Sequence, residues 1–360
     1  MKKKIVTIIG ARPQFIKAAV VSRELRKRTG IEEIIIHTGQ HFDENMSKIF
    51  FDELEIAEPK YNLGISSLSQ GAMTGKMIES IEKIVIDERP DLVLLYGDTN
   101  STLAGALATV KLNIPVAHVE AGLRSFNNKM PEEINRILTD RISSLLFTPT
   151  DKATENLTAE GFINLGARII PSGDVMYDSA ILYKNNEKIP DIEIPEKFIL
   201  ATIHRPETTD SYENLINCIN VLKNNAPFPV ILSLHPRTKD KIKKYKIDTD
   251  CGNLMLIDPV SYREMQYLLG RSEFVATDSG GLQKESFFNG KYCLTLRTET
   301  EWVELVDNGT NYVCGYDPVK IIEAMDIIVK KDRFDPASYD LYGNGNASKI
   351  IVDTIIDYLN

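Results

Sequence analysis

KIVTIIG at residues 4–10, PQFIKAAVVSRELRKR at 13–28 and EEIIIHTG at 32–39 read in turn as strand, helix and strand. Ile5, Val6, Ile8 and Ile9 leave the first strand almost no polar face, the pattern of a strand covered by helices on both sides of a parallel sheet. The same alternation continues outward through DLVLLYGD (91–98), IPVAHVEAG (114–122) and SLLFTPT (144–150). After the polar stretch NNEKIPDIEIPEK (185–197) it restarts with FILATIHR (198–205), PVILSLHP (229–236), NLMLIDP (253–259), SEFVATDSGG (272–281) and YCLTLRT (292–298). The expectation is an α/β protein of two Rossmann-like, doubly wound parallel-sheet domains, at 1–175 and 176–340, with a cleft at the carboxyl ends of the strands. Residues 341–360 form a terminal helix that can pack on either half, the first domain included.

Composition supports two ordinary cores: 360 residues, 43% hydrophobic and 26% charged. The formal net charge of -9 argues against nucleic acid and anionic membrane surfaces as partners. No apolar run approaches the roughly 20 residues of a membrane span, and the opening MKKKIVTIIG passes straight into a charged helix, so a cytoplasmic protein is expected. Cys218, Cys251, Cys293 and Cys314 show no CxxC spacing, and His37 with His41 is the only close histidine pair; neither pattern suits a metal. GAMTGKM (71–77) is one residue short of a P-loop, and no GxGxxG follows the first strand.

Chemistry-bearing residues gather at strand ends. In VATDSGGLQKES (275–286), Ser279, Gly280 and Gly281 open a helix whose unpaired N–H groups suit a phosphate, and Glu285 lies about one turn further on. GARPQFIK (10–17) offers a second anion-binding helix start with Arg12 and Lys17. Asp98 reads as an N-cap or a catalyst, and Glu120 as a partner of Arg124 or a catalytic carboxylate. PEEINR adds Glu132, Glu133 and Arg136. His204 and Arg205 end one strand, and His235 and Arg237 end another; all are expected at the ligand-facing edge. Tyr262 is either a stacking or a core tyrosine. Carboxylates facing basic residues suggest proton transfer beside a bound anion.

These motifs, in this order with the GQH at 39–41, YGDTNST, HVEAGLR, IHRPE, LIDP and LYGNGNASKI, resemble the non-hydrolysing UDP-N-acetylglucosamine 2-epimerases over nearly the whole chain. The resemblance implies a GT-B fold with UDP in the interdomain cleft, no metal or redox cofactor, and a homodimer. It implies a diphosphate-binding turn at Ser279, Gly280 and Gly281, a ribose-binding carboxylate at Glu285, and acidic catalytic residues at Asp98, Glu120 and Glu132. Lys17 and Arg136 would position them, and Arg12, His204 and Arg205 would stabilise the leaving diphosphate. Two departures stand out. GARPQFIK replaces the usual GTRPEAIK, placing Gln14 where a carboxylate is common, and TEWVE replaces TERPE, placing Trp302 where an arginine is common. Both are similar to the subgroup that inverts C2 of UDP-2,3-diacetamido-2,3-dideoxyglucuronic acid for surface polysaccharide. UDP-N-acetylglucosamine itself, a GT-B glycosyltransferase, a hydrolysing epimerase and a non-catalytic sugar-nucleotide binder are the rival readings.

Overall fold

Strand β1 (Lys3–Ile9) pairs in parallel with β2 (Ile31–His37) on one side and β4 (Leu92–Tyr96) on the other, so it is central and buried on both faces. The computed structural model describes residues 2–40, 51, 53–184, 187–250 and 252–360; His41, Asn185, Asn186 and Cys251 lie outside that set. With β3 (Tyr61–Asn62), β5 (Val116–Val119), β6 (Leu145–Thr148) and β7 (Arg168–Pro171), the first sheet runs 3-2-1-4-5-6-7, parallel throughout. Its helices are α1 (Arg12–Arg26), α2 (Gln70–Glu88), α3 (Asn100–Val110), α4 (Pro131–Ile142), α5 (Asp151–Ala159) and the start of α6 (Val175–Lys184). Ile8, Val93, Leu95, Ala104 and Ile81 belong to a core cluster on one face of this sheet.

The second sheet holds β8 (Ile199–Ile203), β9 (Val230–Leu234), β10 (Leu254–Ile257), β11 (Val275–Thr277), β12 (Cys293–Thr295) and β13 (Asn311–Val313) in the order 10-9-8-11-12-13, again parallel. It is wrapped by α7 (Pro206–Thr209), α8 (Tyr212–Asn224), α9 (Pro236–Tyr245), α10 (Tyr262–Arg271), α11 (Gly280–Phe288), α12 (Val303–Asp307) and α13 (Pro318–Ile328). The chain divides into unit 1, residues 1–179 with 340–360, and unit 2, residues 180–339. The last helix, α14 (Ala347–Leu359), is part of unit 1: Arg28, in the turn just after α1, pairs with its Asp353 at 2.6 Å, and Ile351, Val352 and Ile355 are buried.

In each sheet the strand order reverses beside the first strand laid down, between β1 and β4 and between β8 and β11. Adjacent crossovers there depart to opposite faces, which opens a crevice at the carboxyl ends of those strands. Residues 10–17 and 97–98 lie there in unit 1, and residues 204–205 and 278–281 in unit 2. Among the described residues no helix is long and apolar enough to cross a membrane, and no group of three or more His, Cys, Asp or Glu is placed to hold a metal ion.

Candidate active site

In unit 1, Gly97 and Asp98 follow β4, and Glu120 follows β5. Glu120 takes a left-handed backbone, φ 73°, while its N–H donates to the Phe147 carbonyl at 3.1 Å. Its carboxylate pairs with the Lys17 ammonium, and both groups are about nine-tenths buried. Gly97 has φ 62°, and a Cβ there would sit 3.2 Å from Glu120 Oε2 and 3.3 Å from Lys17 Nζ, so the glycine lets the ion pair lie against the backbone. Asp98 accepts from Arg136 on α4, and Asn135 on the same helix donates to the Asp98 carbonyl at 2.9 Å. Two carboxylates on neighbouring strand ends thus each hold one cation.

PEEINR resolves unequally. Glu132 is exposed in the first turn of α4, whereas Glu133 is buried, accepting from the amides of Ser125 and Phe126 at 2.9 Å each and from Arg136 at 2.7 Å. Burial pushes Glu133 up, but the Ser125 amide, Arg136 and the Phe126 amide more than reverse this and leave it below the usual carboxylate range. Arg124 pairs with Asp140 at 2.7 Å and with Glu160 through two bonds of 2.7 and 2.9 Å, while Glu120 goes to Lys17.

Gln14 does not line a phosphate mouth through its amide. It is buried, its Oε1 accepts from the N–H groups of Gly10 (2.8 Å) and Ala11 (3.0 Å), and its Nε2 donates to Tyr96 O (2.9 Å) and Thr102 Oγ1 (3.0 Å). It staples β1 to β4 and occupies two helix-entry donors of α1. Arg12, half-buried, is the first residue of that helix.

In unit 2, Asp278 is fully buried and receives the N–H groups of His204 (3.0 Å) and Arg205 (2.9 Å) and the Thr208 hydroxyl (2.9 Å). That single carboxylate binds the end of β8 to the end of β11. His204 Nδ1 lies 3.4 Å from Asp278, and its ring is 5.6 Å from that of His235. His235 caps α9 by accepting from the Arg237 N–H at 3.2 Å, and Arg237 pairs with Asp210. Ser279 caps α11. A Cβ on Gly280 would meet Glu301 Oε1 at 2.3 Å, whereas one on Gly281 would find only Ser279 Oγ at 4.0 Å, so the second glycine presents open space at the helix mouth. Glu285 follows about one turn later and is buried. Trp302 closes the back of this turn: its indole N–H donates to Gly280 O at 2.9 Å and its ring lies 4.1 Å from the Lys284 ammonium. Tyr262 is a core residue, edge-on to Tyr183, which settles its two readings in favour of packing.

Known proteins carry the same framework. The family model described as UDP-N-acetylglucosamine 2-epimerase matches residues 23–356. The chain belongs to this family. The epimerase is 54% identical over 366 residues to a Methanococcus maripaludis UDP-N-acetylglucosamine 2-epimerase homolog, covering 98% of this chain and 99% of that one. It is 50% identical over 354 residues to the UDP-2,3-diacetamido-2,3-dideoxy-D-glucuronate 2-epimerase of Pseudomonas aeruginosa, covering 97% and 98%. Among solved structures, the Methanocaldococcus jannaschii UDP-GlcNAc 2-epimerase in complex with UDP-GlcNAc and UDP superimposes with a TM-score of 0.87 at 40% identity, covering 99% of both chains. The epimerase is therefore an isomerase, a UDP-sugar 2-epimerase of GT-B fold. Sequence reading assigned no role to Asp278 or Asn135. For Asp278 the available signal was a carboxylate directly between an apolar strand and Ser-Gly-Gly; for Asn135, its place next to Arg136 gave none.

Proposed function

We propose that this epimerase inverts C2 of UDP-2,3-diacetamido-2,3-dideoxyglucuronate without hydrolysis, in surface polysaccharide synthesis and as a homodimer. The carrying observation is the pair of carboxylates at adjacent strand ends, Asp98 with Arg136 and Glu120 with Lys17, each held beside its own cation. C2 of such a sugar has no neighbouring carbonyl to acidify it, so direct deprotonation and return is a poor route. Elimination avoids the difficulty: a carboxylate takes the C2 proton, the C1–O bond breaks, and UDP leaves to give a glycal. Proton return to C2 on the opposite face and re-addition of UDP to C1 complete the inversion. Asp98, Glu120 and the exposed Glu132 are the proton-handling groups, positioned in part by Lys17 and Arg136. The Ser279-Gly280-Gly281 helix mouth, with Arg12, His204 and Arg205, stabilises the departing diphosphate, and Glu285 holds the ribose. Support for the substrate comes from the half-identical P. aeruginosa relative, although the M. maripaludis homolog carries the N-acetylglucosamine name. Turnover in deuterium oxide is the test: deuterium is expected at C2 of the product, with traces of glycal and free UDP, and product retaining only protium at C2 would refute elimination.

A further inference from the structure

Beneath the two carboxylates lies a polar group that touches neither. His118, on β5, is fully buried; its Nε2 is 2.7 Å from Gly97 O and its Nδ1 2.7 Å from Asp140 Oδ1. Asp140, also fully buried, uses its other oxygen to accept from the Gly122 N–H at 3.1 Å and from Arg124 at 2.7 Å. One buried pair therefore fixes the carbonyl just before Asp98 and the amide two residues after Glu120. Asp140 stands four residues beyond Arg136 on α4, the same face of the helix that grips the Asp98 side chain. To the Arg136–Asp98 and Lys17–Glu120 pairs this bracing adds a hold on the backbone on the two sides of the left-handed turns at Gly97 and Glu120.

We propose that His118, clamped by Asp140, is a positioning residue of the epimerase reaction: it sets the Gly97–Asp98 turn against Glu120 so that proton removal and proton return meet the same carbon. The role rests on the elimination reading above. It is not a route for the proton, since the imidazole has no exposed surface.

The side chain of glutamine places an amide N–H near the position of imidazole Nε2, and that of asparagine near Nδ1. H118Q therefore keeps the bond to Gly97 O, and H118N keeps at most the bond to Asp140. In H118N, kcat should fall at least about 30-fold, the scale expected for a sub-ångström misplacement of reacting groups, while KM and UDP affinity stay within about threefold. Free glycal and UDP released per product formed should rise, because a misplaced carboxylate returns the proton late. H118Q should recover kcat to within about fivefold of the unaltered chain. Equal losses in both variants, or losses in KM and UDP affinity with an unchanged glycal fraction, would overturn the role. Should H118N not fold, Asp140→Asn, which weakens the clamp on His118, is measured in its place: a lowered kcat with a raised glycal fraction supports positioning, and unaltered kcat and glycal fraction refute it. Absence of epimerisation by the unaltered chain removes the reaction itself and this role with it.

Discussion

A methyl group separates Gly97 from alanine, and the ends of Lys17 and Glu120 would have to give way to it. At φ 62° an added Cβ would press on both members of the Lys17–Glu120 pair. Gly97→Ala should lower kcat by roughly 10- to 100-fold with UDP affinity nearly unchanged, measured by steady-state kinetics and calorimetry. Normal turnover would mean that the ion pair can shift without consequence. In unit 2, Trp302→Phe removes one N–H, leaves Gly280 O short of a donor and keeps a ring beside Lys284. A hydrogen bond of about 1 kcal/mol supports a severalfold rise in UDP Kd for that variant, and an unaltered Kd would separate Trp302 from nucleotide binding. These residues mark the boundary of what sequence tells. That Asp98 and Glu120 end strands is legible from the apolar runs before them. That Glu133 is buried while Glu132 is exposed is not, because adjacent helix residues differ by a rotation that only the packed environment converts into burial. The part Gln14 plays was not legible either, because its four hydrogen bonds go to groups on two different strand–helix turns.

Elements are held to one another by a few charged groups whose effects can be measured. Glu88, at the end of α2, accepts from Lys4 of β1 at 2.8 Å, from Lys60 at 2.5 Å and from the Tyr61 hydroxyl of β3 at 2.6 Å. Lys4 first, then Lys60 and Tyr61, pull its carboxyl from 4.5 down to about 2. A depressed carboxyl contributes stability in full above its ordinary 4.5 and loses it as pH falls through about 2. With Lys60 half exposed and screened, Glu88→Gln should cost about 1–2 kcal/mol in urea unfolding at neutral pH, and the gap should close as pH approaches 2. A gap that persists in acid would assign the loss to packing instead. Asp178 acts at the other side of unit 1. It accepts from the N–H groups of Ala347 (3.1 Å) and Ser348 (2.7 Å) and from the Ser348 hydroxyl (2.6 Å), capping α14 from α6. Asp178→Ala should cost about 1–2 kcal/mol and speed amide exchange across 347–359 before the rest of unit 1 responds. The inner strands were readable because their apolar runs leave almost no polar face, whereas β3, β7 and β13, at sheet edges and short or partly exposed, left no such run and were not read. The ties between elements were not readable either, since sequence gives no distance between Glu88 and Lys4.

At the scale of the molecule, the substrate is the sharpest question. A carboxylated sugar carries one more negative charge than N-acetylglucosamine, and leaving that charge buried without partners would cost several kcal/mol, so discrimination can be large. The specificity constant for the diacetamido-glucuronate nucleotide should exceed that for UDP-N-acetylglucosamine at least about tenfold, or roughly 1.4 kcal/mol in transition-state binding. A side-by-side assay giving equal constants would transfer the assignment to the neutral sugar. The division of the chain bears on something different, its birth. Unit 2 is one continuous stretch, while unit 1 is split around it and takes α14 from residues made after unit 2. During synthesis, residues 1–179 must therefore wait, on the order of ten seconds at ribosomal speed, while unit 2 is made. Over that interval the side of α1 that receives α14 is bare. A chain released after Tyr339 should consequently keep a protease-resistant unit 2 and aggregate through an unsealed unit 1, which makes the nascent first half of this epimerase a client for a chaperone that shields apolar surface.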